Sequence, residues 1–196
     1  MNLANKLTVL RMIMVPIFMI VMLLPETVIP FNIMCIISAA LFIIASITDS
    51  LDGKIARKRN LVTDFGKFMD PLADKFMVIG ALMCILYRFE EIRIYVLIVT
   101  IIVVFRELAV TAARLVASTT GGKVIAANML GKLKTVFQII FISAVFIEHV
   151  LWAEYIPNIL YGYPVSFISM AVTAVLTVWS GANYIKGCWK YINTEK

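Results

Sequence analysis

Six long apolar stretches, near residues 7–24, 30–48, 71–89, 94–117, 134–152 and 165–186, divide this chain almost end to end. Each is close to the ~20 residues a helix needs to cross a hydrocarbon core of ~30 Å, and a backbone in lipid must satisfy its own hydrogen bonds within the segment. With 62% of its 196 residues hydrophobic and a mean hydropathy of +0.95, a water-soluble globule could not hide this much apolar surface. Spanning β-barrels alternate apolar and polar residues in segments of about ten, and no such alternation occurs here. The expected fold is therefore all-α, an integral membrane bundle of six transmembrane helices forming a single domain over residues 1–196. Residues 1–24 read as a retained helix, because LLPETVIP offers no small-residue cleavage site.

Basic residues orient the bundle, since loops kept in the cytoplasm carry an excess of Lys and Arg. Lys6 and Arg11 lie at the start, and Lys54, Arg57, Lys58, Arg59, Lys67 and Lys75 lie around the second connection. Lys123, Lys132 and Lys134 mark the fourth connection, and Lys186, Lys190 and Lys196 the tail. The third connection balances Arg88 and Arg93 against Glu90 and Glu91, and AEYIPNILYGYP has no Lys or Arg. Both termini are thus expected in the cytoplasm. The net charge of +6 gathers on that face, where it suits an anionic leaflet or anionic substrates. Nucleic acid is not an expected partner, because no soluble basic domain exists to bind it. Cys35, Cys84 and Cys188 lack metal-ligand spacing and read as small buried hydrophobes.

Against this apolar background every aspartate, Asp49, Asp52, Asp64, Asp70 and Asp74, falls in one short region, from the end of the second stretch to the start of the third. Asp49 and Asp52 are three apart and Asp70 and Asp74 four apart, so each pair shares a helix face. Pro71 favours a first helical position, which makes Asp70 the expected N-cap of the third helix. Four converging carboxylates repel, by about 4 kcal/mol for each pair at ~4 Å and an effective dielectric of about 20. Local Lys and Arg offer one compensation. Hard divalent ions suit an all-oxygen ligand set better, and a pair of them can clamp the attacking and leaving oxygens of a phosphoryl transfer. Gly53 and Ala56 leave room for a ligand beside the helix, Arg57 offers a cationic fork suited to phosphate, and Gly66 repeats the small residue ahead of Asp70.

DSLDGKIAR, eight residues, then GKFMDPLAD resembles the signature of the CDP-alcohol phosphotransferase family, in which two aspartates, Gly, Ala and Arg are followed by Gly and two further aspartates. All eight fixed positions match. The resemblance implies transfer of a substituted phosphate from a CDP-linked donor to an alcohol with release of CMP. It also implies two divalent ions, most often Mg²⁺ with Mn²⁺ as the alternative, and a homodimer in the bilayer. By position, Asp49, Asp52, Asp70 and Asp74 would hold metal, with Asp74 also the general base. Gly53, Arg57 and Thr63 would contact the CDP part of the donor, beside Ala56 and Gly66. Asp64 lies outside the signature and reads as surface.

The acceptor must be read from other charges. Arg106 and Glu107 lie inside the fourth apolar stretch with Arg114 two turns on, and ionisable groups there normally face an interior and mark a site. Glu107 and Arg114, seven apart, share a face and could form an internal salt bridge. Alternatively Arg106, Arg114, Lys132 and Lys134 form a pocket for an acceptor that carries its own phosphate. GKLKT at 131–135, REL at 106–108 and the opening NLANKLTVLRM are similar to the phosphatidylglycerophosphate synthase branch of the family. That similarity implies CDP-diacylglycerol as donor and sn-glycerol 3-phosphate as acceptor, with Asn5, Thr8 and Arg11 near the acceptor side. Phosphatidylglycerol, inositol phosphate and serine are the alternative acceptors. A metal-ion transporter is the rival from another class, but it calls for acids near the bilayer midplane rather than at one face. His149 reads as an ordinary interfacial residue near the outer end of the fifth helix.

Overall fold

A computed structural model describes residues 3–58, 64–119, 129–153, 156 and 162–189. These residues form six α-helices: α1 (Leu3–Leu23), α2 (Phe31–Lys58), α3 (Asp64–Arg88), α4 (Arg93–Thr119), α5 (Met129–Glu148) and α6 (Pro164–Cys188). A π-helical turn, His149–Ala153, extends α5. Among the described residues there is no strand. Five of the helices are long and apolar enough to cross a membrane. The exception is α3, whose first half carries Asp64, Lys67, Asp70, Asp74 and Lys75.

The surface is inverted relative to a soluble protein. Ile13, Ile17, Ile36, Ile98, Ile101, Phe105, Ile168, Val175 and Trp179 are all exposed, an apolar exterior that lipid can solvate and water cannot. Polar side chains within the spans bond to their own helices: Ser46 donates to the Phe42 carbonyl at 2.8 Å, Thr100 to Val96 at 2.7 Å, and Thr177 to Thr173. Together with its apolar exterior, this makes the chain a multi-pass membrane protein.

The most extensive packing is α5 along α6, α1 along α2, and α4 along α6, with α1 also lying against α3. Phe18, Phe42, Phe141, Phe146, Met22, Met34, Leu82 and Ile85 fill the centre, with the Phe18 ring edge-on to Phe146 at 6.1 Å. At the far end Glu148 is buried. It accepts from the backbone N–H groups of Val165 at 2.7 Å and Ser166 at 2.9 Å, which satisfies donors that the first turn of α6 leaves open. His149 bonds the Tyr163 hydroxyl at 2.9 Å and packs on Phe31 and Phe89, in keeping with a structural role. Cys35, Cys84 and Cys188 are buried and free.

Two expectations are corrected. Asp70 is not the N-cap of the third helix, because α3 already begins at Asp64 and carries Pro71 inside it. Proline costs the helix one backbone hydrogen bond, and the Asp70 carboxylate is turned across the bundle to the Thr8 hydroxyl instead of onto its own helix end. Glu107 does not pair with Arg114. Arg106 and Lys134 are its partners, while Arg114 reaches the Tyr184 hydroxyl at 3.4 Å and lies over that ring.

Candidate active site

The site is assembled by α1, which carries three buried polar residues at a spacing of three, Asn5, Thr8 and Arg11, down one face. Thr8 donates to Oδ1 of Asp70 at 2.7 Å. Arg11, fully buried, places Nη1 2.7 Å from Oδ1 of Asp49 and 2.7 Å from Oδ1 of Asp74. The Asp49 and Asp74 carboxylates thus meet at a single guanidinium nitrogen. That guanidinium joins the C-terminal part of α2 to α3. Thr8 and Arg11, expected near the acceptor, are placed on the aspartates. Asn5 lies on the same buried face of α1.

The donor set fits a hard divalent ion in its chemistry. It consists of carboxylate oxygens from α2 and α3 gathered where positive charge already has to sit. Among the described residues no three His, Cys, Asp or Glu side chains close into a metal cage, and the Asp52 side chain is outside that description. Asp52, Gly53, Ala56 and Arg57 lie on the last turns of α2, their side chains not described, and Thr63 lies outside the described residues. Gly66 is buried on the first turn of α3.

Beside the aspartates a cleft of about 150 Å³ lies between α3, α4 and α5. Its lining joins the carboxylates Asp49, Asp74 and Glu107 to the cations Lys75, Arg106 and Lys134, with Met77, Val78, Val103 and Ile139 as apolar wall. Glu107 Oε1 accepts from Lys134 Nζ at 2.6 Å and from Arg106 Nη1 at 2.9 Å, so one carboxylate holds two cations in place. Lys134 is buried, and burying a lone ammonium would be prohibitive without such a partner. Gly181 of α6 makes room for Arg106: a Cβ there would come within 3.0 Å of Arg106 Cγ.

Of the expected acceptor residues, the structure brings Arg106 and Lys134 together in this cleft. Arg114 and Lys132 are exposed and lie apart from its lining. Two members of the cleft were not anticipated. Lys75 directly follows Asp74 and donates to the Thr111 hydroxyl, and its signal in the sequence was its position beside the last aspartate. Gln138 is 1% exposed, and its Nε2 has no hydrogen-bond partner among the described residues. Arg106 Nε is likewise buried without one. Each such donor costs about 1–3 kcal/mol if nothing ever meets it.

The CDP-alcohol phosphatidyltransferase family matches the chain over residues 1–179. A Bacillus subtilis (strain 168) protein named CDP-diacylglycerol--glycerol-3-phosphate 3-phosphatidyltransferase is 44% identical over 203 residues, covering 99% of this chain and 98% of its own. Proteins of the same name from Wigglesworthia glossinidia brevipalpis and Escherichia coli (strain K12) are each 32% identical, covering 97% and 94% of this chain. A match of this extent, over a helical membrane bundle that gathers Asp49 and Asp74 around Arg11, makes the chain a member of the CDP-alcohol phosphatidyltransferase family.

Proposed function

We propose that the protein transfers the phosphatidyl group of CDP-diacylglycerol to sn-glycerol 3-phosphate, forming phosphatidylglycerophosphate and CMP. The observation that carries this reading is the charged cleft, whose lining joins aspartates that suit a metal-bound pyrophosphate to three cations that suit a phosphate-bearing acceptor. The names of the near full-length relatives support the same donor and acceptor.

In this reading the acceptor's phosphate is held by Lys134 and Arg106, which leaves its hydroxyl toward Asp74. The hydroxyl oxygen attacks the phosphorus that bears diacylglycerol, its proton passes to an Asp74 carboxylate oxygen, and the bond from that phosphorus to the CMP oxygen breaks. CMP leaves with the bonding electrons. Arg11 holds the Asp74 carboxylate in position, and Asp49 is held by the same nitrogen. Two divalent ions on Asp49, Asp52, Asp70 and Asp74, Mg²⁺ or Mn²⁺, would stabilise charge on the phosphate oxygens when bound. Gly53, Ala56, Arg57, Thr63 and Gly66 are assigned to the CDP part of the donor.

The fold suits a lipid donor. An apolar groove between α4 and α6, lined by Ile101, Phe105, Val178 and Ile185, also borders Arg106 and offers acyl chains a lateral approach. We assign α3 as the sixth span, with the site and both termini in the cytoplasm, and the single domain to residues 1–196. The working unit is assigned as a homodimer on the family resemblance.

The test is CMP release by purified protein given CDP-diacylglycerol and Mg²⁺, with glycerol 3-phosphate, phosphatidylglycerol, inositol phosphate and serine offered separately. Release with glycerol 3-phosphate alone is expected. Release with another acceptor alone overturns the acceptor assignment, and silence with all of them in folded protein overturns the transferase reading.

A further inference from the structure

We propose that Gln138 is a specificity-determining residue whose carboxamide N–H group donates to the phosphate of the acceptor, completing a receptor with Lys134 and Arg106. The inference deepens the acceptor reading above and rests on it for the identity of the ligand.

Gln138 follows Lys134 by one helical turn on α5, so the two side chains project from one face of that helix, and both line the same cleft. It is buried to 1% exposure, with Nε2 unpaired among the described residues. Arg106, across the cleft on α4, contributes a second buried and unpaired donor, Nε. Unmet donors of this kind are rare in folded proteins, and two on residues that line one cavity point to a place for acceptor atoms.

The chemical class follows from counting donors. Lys134 Nζ, Arg106 and Gln138 Nε2 are all donors, and Glu107 Oε1, the acceptor that Lys134 and Arg106 share, is already taken by those two cations. A phosphate monoester offers only acceptors and satisfies several donors at once, whereas a hydroxyl needs an acceptor in return and finds one at Asp49 and Asp74. Gln138 therefore reads the phosphate, and the aspartates read the hydroxyl. A neutral donor also adds what the cations lack. It binds phosphate oxygen by geometry, so a carboxylate-bearing acceptor of similar charge and different shape leaves it unpaired.

The test is calorimetric titration of the purified full-length protein in detergent with glycerol 3-phosphate, inorganic phosphate and CMP, comparing wild type with Gln138→Leu, Gln138→Asn and Gln138→Glu. Gln138→Leu is expected to weaken glycerol 3-phosphate and inorganic phosphate by the same factor, about tenfold, with CMP affinity unchanged. Gln138→Asn should fall between wild type and Gln138→Leu, and Gln138→Glu should weaken both phosphates further by like-charge repulsion. If Gln138→Leu does not fold, Gln138→Met takes its place with the same expectation. Unchanged phosphate affinity overturns the proposal, as does weakening of glycerol 3-phosphate without inorganic phosphate, which would put the contact on the hydroxyl. Parallel loss of CMP affinity also overturns it, since that is the mark of a merely structural role. Because binding is read without turnover, wild-type CMP release independently reports whether the transferase reading stands.

Discussion

Nη1 of Arg11 lies 2.7 Å from Oδ1 of Asp74, so a fully buried cation on the first helix holds the last aspartate of the signature. The same nitrogen holds Asp49 at the same distance, which makes Arg11 the common counter-ion of α2 and α3. Replacing it by Met is expected to leave two neighbouring carboxylates facing each other without it. Breaking a buried pair costs about 3–5 kcal/mol, but the Asp49 and Asp74 side chains are 34% and 48% exposed, and screening brings the expected loss to about 2 kcal/mol. Thermal unfolding in detergent checks this. Mg²⁺ should restore more stability to Arg11→Met than to wild type, because added cations replace the missing charge. Equal Mg²⁺ effects on the two proteins would contradict the counter-ion role.

Asp74→Asn keeps the shape of the side chain and one acceptor oxygen, but it removes the base assigned to the acceptor hydroxyl. CMP release with glycerol 3-phosphate is expected to fall by about 10² to 10⁴-fold, with the melting temperature within a few degrees of wild type. Turnover near the wild-type rate would remove Asp74 from the proton transfer.

Glu107→Gln tests whether that carboxylate limits the positive field of the cleft. It now accepts from both Lys134 and Arg106, so neutralising it raises the charge facing a bound anion by one. Inorganic phosphate is expected to inhibit several-fold more strongly, and the gain should shrink as salt rises. Weaker inhibition would mean that Glu107 acts mainly by orienting its two partners.

The helical architecture and the aspartate cluster were legible because each rests on a local signal, hydrophobic run length in one case and residue spacing in the other. Five spans follow directly from apolar composition, while α3 carries its charges too far into the helix to be judged on hydropathy alone. What sequence spacing could not give was partner choice across helices. Glu107 and Arg114 share a face of α4, yet the nearer cations come from α5 and from the adjacent residue. Arg11 was expected near the acceptor through the resemblance of the opening segment, and only the packing of α1 against α2 and α3 sets it on the aspartates. Gln138 gave no signal at all, since a single amide in an apolar helix acquires meaning only from the cavity it faces.

Glu148→Ala should separate fold from function. Its carboxylate meets the backbone N–H groups of Val165 and Ser166 at the start of α6, far along α5 from Lys134. Losing a helix cap of this kind costs about 1–2 kcal/mol, so the melting temperature in detergent should drop by several degrees. The KM values for both substrates should not move in the folded fraction. A changed acceptor KM would show that the two ends of α5 are coupled.

Gly181 gives the last test, because it packs on Arg106 from α6 while lying outside the lining of the charged cleft. A Cβ at this position would sit 3.0 Å from Cγ of Arg106, near the root of a side chain whose far end is fixed by Glu107. The guanidinium cannot swing away freely, so Gly181→Ala should shift it by a few tenths of an ångström and Gly181→Val by more. Because phosphate recognition depends on fixed donor geometry, the KM for the acceptor is expected to rise about threefold for Ala and about tenfold for Val. The KM for CDP-diacylglycerol should stay nearly constant if the donor's charged head is held by the aspartates rather than by Arg106. Steady-state CMP release at varied concentrations of each substrate separates these effects. A rise confined to the donor KM would instead place Arg106 on the lipid side, at the edge of the groove between α4 and α6 that it also borders.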